Sequence, residues 1–262
     1  MRAESEVDLR AAAADFYDLE PDFPDDVPFY EKAIPRSDAR LLELGCGTGR
    51  VLVALADSCA YIHGIDSSEA MLKLCTDRLR NAGLGEDRAR AQHGDVTDFD
   101  LGRCFDLITA PYRVFQNLET DSQIAGMFRC VKSHLMPRGT FILDVFHPNR
   151  DREALRREWC RPGELLCWEI HDEGETITCH ERRPRIDPDT MILYPELIYR
   201  VHREGEIVQE VGLAFPMRCY YPDELERLVE RHGFRIVDRW GGYAGEVYGE
   251  GSELLLQLAI HA

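Results

Sequence analysis

The chain has 262 residues, 44% of them hydrophobic, which suits one large α/β domain or a smaller domain carrying an insertion and argues against disorder. Its 48 acidic residues outnumber 31 basic ones for a formal net charge of −17, a field that repels phosphate backbones, so nucleic acid is disfavoured and a small, neutral or cationic substrate is expected. The opening MRAESEVDLR lacks the apolar core of a signal peptide, and no apolar run reaches the roughly 20 residues that span a bilayer, which predicts a soluble cytoplasmic protein with no membrane partner.

In chain order, the first biased segment is DFYDLEPDFPDDVPFYE, with seven acids and no base. It reads as a solvated, proline-punctuated arm or as a lid. From Leu41 to Asp144 strand and helix patterns alternate: RLLEL, the helix RVLVALADS, YIHGID, the serine-capped helix SSEAMLKLCTDRLRNAG, ARAQHGD, FDLITA, the helix DSQIAGMFRCVKSHL and GTFILDVF. This βαβαβ logic predicts a largely parallel sheet. Between residues 160 and 218 four β-rich stretches, separated by EGE, DPDT and REGE, predict an inserted antiparallel sheet. The α/β pattern then resumes with YPDELERLVERHG, FRIVDRW, the glycine-rich GGYAGEVYGEG and SELLLQLAIHA. Two final strands joined without a helix close the sheet antiparallel. The expected division is 1–150 with 219–262 as one domain and 151–218 as the inserted subdomain.

The nine cysteines are scattered without a CxxC pair, as expected of reduced, mostly buried thiols. Cys179 and His180 are adjacent, with Cys160 and Cys167 upstream, but the spacing matches no structural zinc pattern and no metal is expected.

LLELGCGTGR carries the strongest signal. Gly45, Gly47 and Gly49 leave a strand and enter a helix, where φ > 0 or close backbone approach is needed, and the unpaired N–H groups there suit an anionic or carboxylate-bearing ligand. Asp66, about 20 residues on, ends the second strand, where an acid accepts hydrogen bonds from ribose hydroxyls; it also has capping-box spacing to Glu69. Asp95 ends the third strand at the same sheet edge. A dinucleotide fingerprint would read GxGxxG, but Arg50 stands in the third glycine's place, which weakens a dehydrogenase reading.

Through LLELGCGTGR, GIDSSEAML, HGDVTDF, FDLITAPYRVFQNL and LMPRGTFILDVF the sequence resembles the class I S-adenosylmethionine-dependent methyltransferases over nearly its whole length. The resemblance implies a Rossmann-like, seven-stranded, mostly parallel sheet whose last strand is antiparallel, with S-adenosylmethionine as cofactor. It implies that Gly45, Cys46 and Gly47 border the methionine part, that Glu43 lies near its ammonium, and that Asp66 and Ser67 face the ribose. Gly94, Asp95 and Val96 would face adenine, and Ala110 would line the floor near the sulfonium. Met71 would flank adenine, or sit in the core as a helix-spaced methionine does. APYRVFQNL with an inserted sheet before YYPDELERL looks like bacterial small-molecule methyltransferases.

Methyl transfer from a sulfonium mainly needs alignment, plus a base when the acceptor must lose a proton. Candidates at the strand ends are Tyr112, Arg113 and His147, with Tyr220, Tyr221 and Tyr243 nearby. His147 is either a base or a loop residue hydrogen-bonded beside Pro148. Arg113 either grips a carboxylate or forms a structural salt bridge. The inserted sheet either walls the acceptor pocket or forms a homodimer surface. The reading is transfer to N or O of a small-molecule acceptor; the alternative is a non-catalytic cofactor-binding or interaction module.

Overall fold

A computed structural model describes Asp8 and residues 10–148, 151–172 and 174–261. Of the opening MRAESEVDLR, read as lacking the apolar core of a signal peptide, residues 1–7 and 9 lie outside the described residues. The chain forms two compact units, one within Pro24–Asn149 and Cys219–Ala262, the other within Met1–Phe23 and Arg150–Arg218. The described residues up to Phe23 thus group with the inserted sheet.

The elements are α1 (Ala14–Tyr17), α2 (Val27–Lys32), β1 (Arg40–Leu44), α3 (Arg50–Leu55), β2 (Tyr61–Asp66), α4 (Glu69–Asn81), β3 (Ala89–His93), β4 (Phe105–Ala110), α5 (Asp121–His134) and β5 (Leu135–Phe146). Next come α6 (Arg152–Glu158), β6 (Arg161–Asp172), β7 (Glu175–Asp187), β8 (Ile192–Arg203), β9 (Glu206–Ala214) and β10 (Met217–Arg218), then α7 (Pro222–Arg231), β11 (Phe234–Trp240) and β12 (Glu253–Ile260).

The first unit is a seven-stranded sheet in the order β11-β12-β5-β4-β1-β2-β3. β1, β2, β3, β4 and β5 pair in parallel, and β12 runs antiparallel to both β5 and β11. The expected fold class is therefore the observed one. The central strands β1 and β4 are nearly continuous apolar runs because both sheet faces are covered. One face buries Phe115, Phe128, Val131, Leu143, Leu225 and Phe234; the other buries Tyr30, Leu41, Leu52, Leu55, Leu107 and Ile142. Helix ends follow local chemistry. Ser68 caps α4 by accepting from the Met71 N–H at 3.2 Å, and Thr120 and Gln123 form a capping box on α5. The cap of α4 is Ser68, not Asp66, whose carboxylate is committed elsewhere.

The second unit is an antiparallel sheet in the order β10-β8-β7-β6, with β9 also paired to β8. Its core gathers Trp168, Cys179, Tyr199, Val201 and Leu213 with Ala13 and Phe16, the last stacked on Tyr199 at 5.2 Å. The acidic N-terminal segment is therefore not a solvated arm. Phe16 is buried in this unit, and Asp26 and Tyr30 are buried in the other. Acid counting misses this, because a few apolar side chains and one paired acid anchor each stretch. The short α6, which the strand-dominated pattern hides, is capped by Asp151 through a 2.7 Å bond from the Ala154 N–H. Among the described residues no helix is long and apolar enough to cross a membrane.

Candidate functional site

The C-terminal edges of β1, β2, β3 and β4 meet at the glycine loop. Gly45, Gly47 and Gly49 all have positive φ, at 68°, 53° and 80°. At Gly45 a Cβ would lie 2.4 Å from the Val114 side chain, so glycine is required by close packing as well as by conformation. At Gly47 a Cβ would meet nothing within 4 Å, so this face of the loop is open. The Gly45 and Cys46 N–H groups donate to Ile65 O at 2.7 and 3.0 Å, tying the loop to β2, and Cys46 is buried. α3 has only six residues before a 3₁₀ turn over Ala56–Ser58, so the loop N–H groups, rather than a long helix dipole, shape this edge.

Asp66 joins the loop to β2. Its Oδ2 accepts from the Gly47 N–H and its Oδ1 from the Ser68 N–H, both at 2.8 Å. A carboxylate oxygen has two lone pairs, so each retains capacity for a ligand hydroxyl. Ser67 beside it is exposed, while Met71 is fully buried in the first turn of α4. Gly94 donates to Asp66 O at 3.0 Å and brings the end of β3 alongside. There Asp95 is exposed, its Oδ1 held by the Thr97 N–H at 2.7 Å, and Val96 packs against the core. Ala110 ends β4, buried opposite Leu143.

Glu43 on β1 is buried, and its Oε2 has no hydrogen-bond partner. Burial, and next the neighbouring Cys75, push its carboxyl well above the ordinary range, while Arg50 pulls the other way. Arg50 is itself gripped by Asp26, which is wholly buried at the start of α2, through two bonds of 2.6 and 2.7 Å. The residue that breaks the dinucleotide pattern therefore fastens α2 to the glycine loop.

After β4 the chain turns through Tyr112 and Arg113, both left-handed at φ 54° and 69°. Arg113 pairs with Glu253 at 2.7 Å and lies over the Tyr112 and Phe146 rings, which is the structural salt bridge of the two sequence readings. Asp144, on β5, is fully buried and accepts from the Tyr112 and Arg113 N–H groups and from the Tyr30 and Tyr243 hydroxyls. Burial raises its pKa against those hydrogen bonds. Glu253 opens β12 opposite Phe146; its Oε2 lacks a partner, and burial, only partly offset by Arg113, pushes it up to about 7.

His147 follows β5. Its imidazole hydrogen-bonds the Tyr220 backbone and meets the Tyr221 ring edge-on at 6.1 Å, leaving Nδ1 buried without a partner. Burial lowers its pKa, so the ring is neutral at neutral pH and Nδ1 can accept a proton. Sequence reasoning brought the glycine loop, Asp66 and Asp95 to one edge but did not single out Asp26, Asp144 or Glu253. The signal that could have found Asp144 is an acid inside the apolar run TFILDVF, where a charge needs several donors.

Residues 41–139 match the family described as a methyltransferase domain. The chain carries an S-adenosylmethionine-dependent methyltransferase domain. A dTDP-3-amino-3,6-dideoxy-alpha-D-glucopyranose N,N-dimethyltransferase of Streptomyces fradiae is 27% identical over 208 residues, spanning 79% of this methyltransferase and 74% of that one. An S-adenosylmethionine-dependent methyltransferase from Clostridium acetobutylicum shares its fold with a TM-score of 0.77 at 19% identity, over 95% of this chain and 98% of that one. The S-adenosylmethionine-bound amino pentose methyltransferase CalS10 of Micromonospora echinaspora does so at 0.69 and 22%, over 94% and 95%. The cofactor of the methyltransferase is S-adenosylmethionine, and the dehydrogenase reading is set aside.

Proposed function

We propose that this methyltransferase transfers a methyl group to the nitrogen of a small-molecule amine, with amino sugars as the first acceptor class to test. The observation that carries the reading is the charge balance of one unit's strand edge. Asp26, Glu43, Asp66, Asp144 and Glu253 are all buried there, and burial raises the pKa of Glu43, Asp144 and Glu253, so a cation beside them would stabilise their charged forms. Such an edge favours cationic ligands. The S. fradiae relative is named for N,N-dimethylation of an amino sugar, which supports the same acceptor class.

The residues of this edge fit the cofactor. The partnerless Glu43 Oε2 is suited to its ammonium, the open face of Gly47 with Gly45 and Cys46 to the methionine backbone, and Asp66 with Ser67 to the ribose. Gly94, Asp95 and Val96 would surround the adenine, with Ala110 beneath the sulfonium, while Met71, fully buried, takes the core role. When bound, S-adenosylmethionine supplies an electrophilic methyl carbon with a neutral thioether as leaving group. This chain's own residues then align the acceptor and exclude water. His147 Nδ1 takes the proton the nitrogen loses, and Tyr112 and Arg113 line the approach.

Incubation with S-adenosylmethionine and a panel of dTDP-linked amino sugars, phenols and carboxylic acids, read as S-adenosylhomocysteine release, tests the acceptor. Turnover of amines is expected. Transfer to phenols or acids without transfer to amines overturns the reading. His147→Ala should keep cofactor affinity within about twofold and lower transfer roughly 100-fold, the lower end of what a general base supplies. Unchanged turnover would leave His147 with its structural role.

A further inference from the structure

Tyr112 and Arg113 are the feature of this edge that local chemistry does not account for. Two successive side-chain-bearing residues stand at φ 54° and 69°, a conformation that L residues with a Cβ disfavour, and neither is glycine, asparagine or aspartate. Such a pair persists only where the surroundings over-determine it. Here the surroundings are Asp144. Its Oδ2 accepts from the Tyr112 N–H at 2.9 Å and its Oδ1 from the Arg113 N–H at 2.5 Å. Consecutive N–H groups converging on one anion form a nest, with Asp144 as its built-in anion.

The turn is not an isolated ornament. The next residue, Val114, presses on the glycine loop so closely that a Cβ on Gly45 would fall 2.4 Å from Val114 Cγ2. The Tyr112 ring carries the Arg50 guanidinium at 5.7 Å on its way from the same loop, and the Arg113 guanidinium at 5.5 Å. The Tyr30 hydroxyl from α2 and the Tyr243 hydroxyl from the connection between β11 and β12 close on the same Asp144 oxygen. One buried carboxylate therefore joins α2, β5, the turn after β4 and the β11–β12 connection, and through Val114 it reaches Gly45.

We propose that Asp144 is a positioning residue that holds Tyr112 and Arg113 in the left-handed turn seating Val114 on Gly45, and so keeps the glycine loop in its cofactor-binding form. It touches no ligand itself. Its effect is on cofactor affinity, whatever the acceptor, and it stands apart from the identity of that acceptor.

The test is calorimetry of the full chain with S-adenosylhomocysteine. Asp144→Asn should weaken binding at least tenfold, because an amide nitrogen cannot accept the second backbone N–H. Asp106→Asn is the control for a merely structural acid: Asp106 is also buried and accepts from the Arg40 N–H at 2.9 Å and from Arg36 at 2.8 Å, but at the start of β4. It should lower thermal stability while keeping affinity within twofold. In a Tyr112→Gly background, where the turn needs less support, Asp144→Asn should cost less than threefold. Affinity within twofold for Asp144→Asn, or an equal loss in the glycine background, overturns the proposal. If Asp144→Asn does not fold, hydrogen exchange in the unaltered protein decides: the Arg113 amide should be protected at least 100-fold, and exchange at an open-loop rate overturns the role.

Discussion

Asp66 shows how one side chain serves structure and ligand together. Two backbone N–H groups hold its carboxylate at 2.8 Å, so its position is set before any ligand arrives. Asp66→Ala should weaken S-adenosylmethionine binding about 10- to 100-fold, the range expected for hydrogen bonds to a charged group, with the fold retained by circular dichroism. Equal affinity in calorimetry would remove it from the ribose site. The glycines separate in the same way. Gly47→Ala has open space and should cost about 1 kcal/mol from left-handed strain alone, whereas Gly45→Ala adds a collision with Val114 and should cost about 3 kcal/mol. Urea unfolding of the two variants measures the difference, and equal costs would remove the Val114 contact from the account.

At the scale of elements, the sequence signals that held were those written in a short window. β1, β2, β4 and β11 run where their apolar patterns place them, and α4 begins and ends where serine and glycine punctuate it. Contacts between distant elements were not legible. The Asp26–Arg50 clamp fastens α2 to α3 across residues that no local pattern connects. Because Asp26 is wholly buried, removing its cation leaves an uncompensated charge, and Arg50→Met should cost about 3 kcal/mol. The double variant Asp26→Leu, Arg50→Met should cost less than Arg50→Met alone, since a buried pair exchanged for apolar side chains leaves no orphan charge. Additive losses in denaturant unfolding would show that the two residues do not act as a pair.

Across the whole molecule, the acidic excess visible in composition becomes a titration property once carboxylates are buried. Glu253 is raised from 4.5 to about 7, so the folded state holds a proton that the unfolded state has released. Its contribution to stability is fully present below about pH 4.5 and is lost as pH rises through about 7. The thermal midpoint of the protein should therefore fall between pH 5 and pH 8, and Glu253→Gln should flatten that part of the fall. An identical pH profile in the variant would place Glu253 in an environment that does not hold the proton.

The sequence by itself determined the α/β architecture, the inserted antiparallel sheet and the glycine loop with its acid at the end of the next strand. Those features rest on periodicity, turn chemistry and short motifs, which are properties of neighbouring residues. Only the tertiary structure decided that Arg50 belongs to Asp26, that Arg113 belongs to Glu253, and that Asp144 gathers two tyrosine hydroxyls and two backbone N–H groups. A buried charge is satisfied by whatever donors the fold brings within about 3 Å, and those donors come from segments up to 140 positions apart in the chain.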